Sequence, residues 1–105
     1  MAHIELEVGR AKATADGFLE FLRVPAMSAG VYVLGPGAVD AQTPHDEDEV
    51  YYVVRGRAGF RRGSAEFAVK PGDVLFVPAH ETHRFHSIAE ELVLLVVFAP
   101  AHRRR

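Results

Sequence analysis

The chain has 105 residues, with 12 Lys plus Arg against 14 Asp plus Glu and a net charge of −2. That length allows one ordinary domain and not two, and the charge balance lacks the basic face a nucleic-acid partner requires. There is no cysteine, so disulfides and thiolate metal sites are excluded and any metal must be held by nitrogen and oxygen.

Hydrophobic residues make up 49% and charged residues 25%, the balance of a soluble globular protein. No apolar run approaches the roughly 18 residues of a membrane span. The first ten residues, MAHIELEVGR, lack a basic stretch followed by an apolar core, so no secretory signal is expected and a cytoplasmic location is the default. A chain this short buries a modest core, which makes a homodimer the expected assembly.

In chain order, residues 4–8 alternate like a strand, and residues 16–22 (DGFLEFL) suit either a short helical turn or a strand, broken at Pro25. Residues 30–34 (GVYVL) are β-branched and aromatic and end at the turn signal Gly35-Pro36-Gly37. Residues 50–54 (VYYVV) form the next strand, closed by Gly56. Residues 60–67 read as a hairpin with Gly63-Ser64 at its tip, and Lys70-Pro71-Gly72-Asp73 as a tight turn. Residues 74–77 (VLFV) and 83–88 are two further strands, and residues 92–98 (LVLLVVF) a strand buried on both faces and ended by Pro100. Short strands separated by Gly/Pro turns predict an all-β sandwich or barrel in a single domain. The strand at 92–98 and the one at 4–8 are candidates for pairing across the dimer.

Four of the six histidines fall in two segments: His45 in residues 36–56, and His80, His83 and His86 in residues 71–87. Side chains alternate along a strand, so Glu49, Tyr51 and Val53 share one face and Val50, Tyr52 and Val54 the other. Both faces are apolar enough to be covered. A carboxylate at the mouth of such a strand needs a partner, either a metal ion or an Arg or Lys. His83 and Phe85 share a face, while Arg84 and His86 point away. Two imidazoles and one carboxylate suit Fe, Mn, Ni or Zn as a divalent ion. His45 and His83 are equally readable as histidines that merely titrate or pack. His3, His86 and His102 read as surface residues, and the acidic run Asp46-Glu47-Asp48 as a solvated loop.

The spacing of these residues resembles the two motifs of the cupin superfamily. The first motif runs G-x5-H-x-H-x3,4-E-x6-G; Gly37, Thr43, His45, Glu49 and Gly56 stand at its first Gly, first His, second His, Glu and last Gly. The second runs G-x5-P-x-G-x2-H-x3-N; Gly72, Pro78, His80, His83 and Ser87 stand at its positions in turn. Three positions depart from the pattern: Thr43 replaces a histidine, His80 a glycine and Ser87 an asparagine. The resemblance implies a single-domain cupin-type β-barrel (a double-stranded β-helix, or jelly roll) over residues 1–105, with motifs at 37–56 and 72–87. It implies a divalent transition metal (Fe, Mn, Ni or Zn) held by His45, Glu49 and His83, and a pocket lined by Gln42, Thr43, Tyr51, His80 and Phe85. It also implies a small-molecule ligand that is polar or aromatic, with dioxygenase-, isomerase- or decarboxylase-like chemistry. A general acid or base would come from His80, Tyr51 or Tyr32. A binding or sensing cupin without turnover fits the same resemblance, and the missing first histidine points that way, so enzymatic activity is left open.

Overall fold

The computed structural model describes residues 5–40 and 45–103. One helix, α1 (Leu6–Asp16), precedes six strands: β1 (Phe18–Val24), β2 (Met27–Leu34), β3 (Asp48–Arg62), β4 (Ala65–Val69), β5 (Val74–Val77) and β6 (His83–Ala99). All pairings are antiparallel. The strands follow the order β1-β2-β6-β3-β4, and β5 pairs with the first part of β3. The result is the all-β barrel that the strand and turn pattern predicts, in the jelly-roll form that the motif resemblance implies.

Alternation along the long strands decides what lies inside. Glu49, Tyr51 and Val53 on β3 face Phe98, Val96 and Leu94 on β6, and all six are buried. Beyond the bend, Phe60 faces Phe85, and both rings are closed from solvent. Each such apolar side chain contributes about 1.5–3 kcal/mol by leaving water. A second apolar layer forms outside the barrel, where Ala13 and Leu6 of α1 cover Val31, Val33 and Val93.

The bend in β3 depends on Gly56. Its φ is +97°, a region costly for any residue with a Cβ, and a Cβ there would stand 2.3 Å from the Glu91 carbonyl oxygen. The register between β3 and β6 shifts on both sides of this point, so the strand can pair with β5 before it and β4 after it. Gly56→Ala is expected to cost about 2 kcal/mol from positive φ and overlap together. Urea unfolding of the two proteins measures it.

Four expectations are corrected here, and one that was open is decided. Residues 6–8 begin α1 and are not strand. Alternation over five residues is a weak signal, and the RAKATAD that follows is rich in helix formers. The helix stops at Gly17, whose φ is +84° and whose N–H donates back to the Ala13 carbonyl. Residues 18–22 resolve as part of β1, which turns at Pro25-Ala26 into β2. Residues 83–88 and 92–98 are one strand, continuous through Ser87 at φ +51°. The outer face of β3 is not covered, since Val50 and Tyr52 are 37% and 41% exposed. Finally, residues 92–98 are paired on both edges, to β2 and to β3, so they are not free to pair across a dimer.

Candidate metal centre

Glu49 enters the barrel because it is the second residue of β3 and lies on the inward face. Its cross-strand neighbours are Val77 on β5 and Phe98 on β6, which leave the residue 2% exposed and walled by apolar groups. His83 opens β6 on the same inward side. Its Nδ1 lies 2.9 Å from the Glu81 carbonyl oxygen, which can only accept, so Nδ1 carries the proton and Nε2 a lone pair. His45 comes from the loop before β3. Its ring meets Phe98 edge-on at 5.3 Å and lies 5.5 Å from the ring of His83. The loop is fixed to its neighbour by the His80 N–H, which donates to the His45 carbonyl at 2.6 Å.

The three side chains converge. His83 Nε2 is 3.0 Å and His45 Nε2 3.9 Å from Glu49 Oε1, and one donor atom from each residue lies within 4.8 Å of the others. Among the described residues, both Glu49 oxygens and His83 Nε2 are buried without a hydrogen bond. With neutral His83 the 3.0 Å approach sets two acceptors against each other, and it becomes a hydrogen-bonded ion pair only when His83 takes a second proton. Buried polar atoms left unsatisfied are rare and costly. Donors sharing a divalent ion with bonds of about 2.0–2.2 Å stand roughly 3–3.5 Å apart, and a nitrogen-and-oxygen donor set suits first-row divalent metals. The residues present fit a metal ion, and the Glu81 carbonyl supplies the outer contact that orients a ligating imidazole.

Their protonation differs. Burial lowers the His45 pKa, with Glu49 only partly opposing it, so His45 is neutral near pH 7 and ready to ligate. Burial also works to lower His83, but the Glu49 carboxylate, the Glu81 carbonyl and the charge of Asp40 outweigh it and raise its pKa. A proton on His83 Nε2 competes with a metal ion. Metal affinity is therefore expected to fall as pH drops below the raised His83 value, approaching tenfold per unit. Competition titrations at about pH 6 and pH 8, on either side of the ordinary histidine value, check this, and proton release on metal addition should shrink at the higher pH.

Beside His45 and Glu49 lies a cavity of about 160 Å³ lined by Phe18, Tyr32, His45, Glu49, Val96, Phe98 and His102, while His83 borders a separate hollow with Arg61, Thr82, Arg84 and His86. At about 30 Å³ per water the first holds roughly five waters' worth of volume, room for a small ligand only. Tyr51 and Phe85 do not line it. They are fully buried and pack edge-on or tilted against each other, Phe60 and His83, forming the floor on which the cluster rests. His80 is turned outward, its side chain 73% exposed and Nδ1 3.5 Å from Asp46. Its backbone has φ +69°, which accounts for glycine at that motif position. Gln42 and Thr43 lie outside the described residues.

Several contributors were not legible as site residues. Asp40 is 1% exposed; it accepts from the Tyr32 hydroxyl at 3.1 Å and the Phe85 N–H at 3.0 Å, tying the loop after β2 to β6. Glu47 is not part of a solvated run. It is 3% exposed and lies 2.7 Å from His102 Nδ1. His102 is not a plain surface residue either, because its ring stacks on Phe98 at 4.4 Å and faces the cavity. Nothing in the sequence around residue 102 marks it, since the pairing with Glu47 spans 55 residues.

The family model described as Cupin domain matches residues 30–98. An uncharacterized protein of Streptomyces coelicolor is 49% identical over 96 residues, covering 91% of this chain and 90% of that one. Among solved structures, TT1209 from Thermus thermophilus is similar at 28% identity and a TM-score of 0.78, over 96% of this chain and 99% of that one. KdgF from Halomonas sp. shares the fold at 24% identity and a TM-score of 0.73, over 85% and 82% of the two chains.

Proposed function

The chain belongs to the cupin family, and from that premise we propose that it binds a divalent transition metal through His45, Glu49 and His83 and takes up a small molecule beside it. The observation that carries this reading is the buried Glu49 carboxylate, neither oxygen of which is hydrogen-bonded among the described residues, with His83 Nε2 equally unsatisfied 3.0 Å away. Among the described residues no Arg or Lys pairs with this carboxylate, whose titratable neighbours are His45 and His83. A bound Fe, Mn, Ni or Zn ion would supply Lewis-acid polarisation of a coordinated oxygen.

The chain's own residues describe the rest of the site. Phe18, Val96 and Phe98 exclude water and offer flat apolar walls, so the ligand is small, with a polar head toward the cluster and an apolar or aromatic body. Of the acid–base candidates, only Tyr32 borders the cavity, with its hydroxyl committed to Asp40. A binding or sensing role without turnover is the second reading, favoured by Thr43 standing where the family motif has its first histidine. Elemental analysis of the protein as purified is expected to find close to one transition-metal ion per chain. Absence of metal, even after reconstitution, overturns the proposal. A ligand that raises the melting temperature without being consumed selects the binding role.

Assembly as a homodimer belongs to the same proposal. Val50 and Tyr52 on β3 pair with Phe76 and Val74 on the edge strand β5, and all four are exposed. A contiguous apolar face of this kind is costly to leave in water. Light scattering on a size-exclusion column is expected to give twice the 11.6 kDa chain mass, and Phe76→Glu to give the monomer.

A further inference from the structure

After β6 the chain does not leave the barrel. The Ala101 N–H donates to the Pro25 carbonyl at 3.4 Å and the His102 N–H to Ser28 Oγ at 2.8 Å, while the Arg23 guanidinium donates to the His102 carbonyl. These bonds lay residues 100–103 against the β1–β2 turn and carry the His102 side chain to the cavity. There the ring is held on three sides: it stacks on Phe98 at 4.4 Å and 19°, stands nearly perpendicular to His45 at 4.7 Å, and has Nδ1 2.7 Å from the buried Glu47 carboxylate. A carboxylate accepts, so Nδ1 carries a proton. Among the described residues Nε2 has no hydrogen-bond partner.

The arrangement decides between two roles. Donor atoms group within 4.8 Å as His45 with Glu49 and His83, or as His45 with Glu47 and His102; among the described residues no group joins His102 to Glu49 and His83. His102 therefore stands outside the coordination sphere those three would form, yet it borders the same cavity as His45 and Glu49. We propose that His102 is a ligand-contacting residue: its Nε2 hydrogen-bonds a second polar group on a small, flat molecule whose first polar group sits at the His45–Glu49–His83 cluster. A hydroxyl suits that position, because it donates and accepts and so meets the imidazole in either charge state. The ligand class is then a compact molecule with a metal-seeking head, an apolar body against Phe18 and Phe98, and a hydroxyl near His102.

The inference rests on the metal-centre reading, and the test separates the two. Protein loaded with Co(II) is titrated with benzoate and with 2-, 3- and 4-hydroxybenzoate, read by the visible absorption of the cobalt. At least one hydroxybenzoate is expected to bind about fivefold tighter than benzoate, the worth of one net hydrogen bond. That advantage disappears in His102→Phe, which keeps an aromatic ring on Phe98; it is read as the ratio of hydroxybenzoate to benzoate affinity within each cobalt-loaded protein, so a change common to all four acids does not enter. His102→Leu makes the same comparison should the Phe variant fail to melt cooperatively. No advantage for any isomer in the wild type, or an advantage that survives removal of His102, overturns the inference alone. Failure to take up cobalt, or cobalt absorption indifferent to benzoate, overturns the metal-centre reading and this inference with it.

Discussion

In His83→Ala, transition-metal content is expected to fall from close to one ion per chain to near zero after dialysis, with affinity reduced by more than about 100-fold. Loss of an outer-shell partner alone costs roughly 10–100-fold, and His83 is placed to be a ligand itself, its Nε2 3.0 Å from Glu49 Oε1 and its Nδ1 oriented by the Glu81 carbonyl. The stability consequence follows by mass action. Metal at about 100 times its dissociation constant stabilises the folded chain by about 2.7 kcal/mol, and for a domain near 100 residues each kcal/mol moves the melting temperature by about 4–8 °C. The wild type should thus melt roughly 10–20 °C higher with metal than with chelator, and His83→Ala should show no such difference. His86→Ala is the control. That residue also lies on β6 but points outward, with Nε2 2.9 Å from Glu66, and its metal-dependent shift should match the wild type. Equal shifts in all three proteins would place the metal elsewhere.

How much of this could be read from the chain depends on the range of each interaction. Local rules located β5 at residues 74–77 and the hairpin turn at Gly63-Ser64, since a Pro/Gly boundary and a two-residue tip act within a few residues. Alternation also put Glu49, Tyr51 and Val53 on one face, and His83 with Phe85. It said nothing about what lies above the opposite face: helix α1 covers Val31 and Val93 but leaves Val50 and Tyr52 exposed. The division of β6 into two strands failed because the polar stretch Ala89-Glu90-Glu91 between them stays in the ladder, with Glu90 paired to Arg57 on β3. Glu47 and His102 needed tertiary knowledge, being 55 residues apart and unremarkable in their own neighbourhoods. The motif resemblance brought His45, Glu49 and His83 forward; it placed His80 in the pocket and was silent on Phe18, Phe98 and His102.

Glu49→Met separates a carboxylate kept for packing from one kept for binding, because the two roles predict opposite signs. The residue is 2% exposed and, among the described residues, neither oxygen is hydrogen-bonded, so without metal the nearest group that can compensate its charge is a protonated His83, 3.0 Å away. Burial lowers the His83 pKa, but Glu49, chief among the opposing groups, raises it. The pairing's contribution to the metal-free protein is then fully present below the ordinary histidine value of about 6.5, and is lost as pH rises through the raised folded value. Above that point the carboxylate is buried and unpaired. A buried carboxylate without a compensating partner is costly, and an apolar side chain of similar volume does not carry that cost. Metal-free Glu49→Met is therefore expected to be more stable than metal-free wild type at about pH 8.5, and the gain should shrink toward about pH 5.5 as the wild type regains its His83 pairing. The same variant should bind no metal and lose the metal-dependent rise in melting temperature. Urea unfolding at the two pH values, with chelator and with metal, reads all three outcomes. A variant less stable than wild type at the higher pH without metal would mean that the carboxylate has a structural partner, and that the barrel holds it for a reason other than an ion.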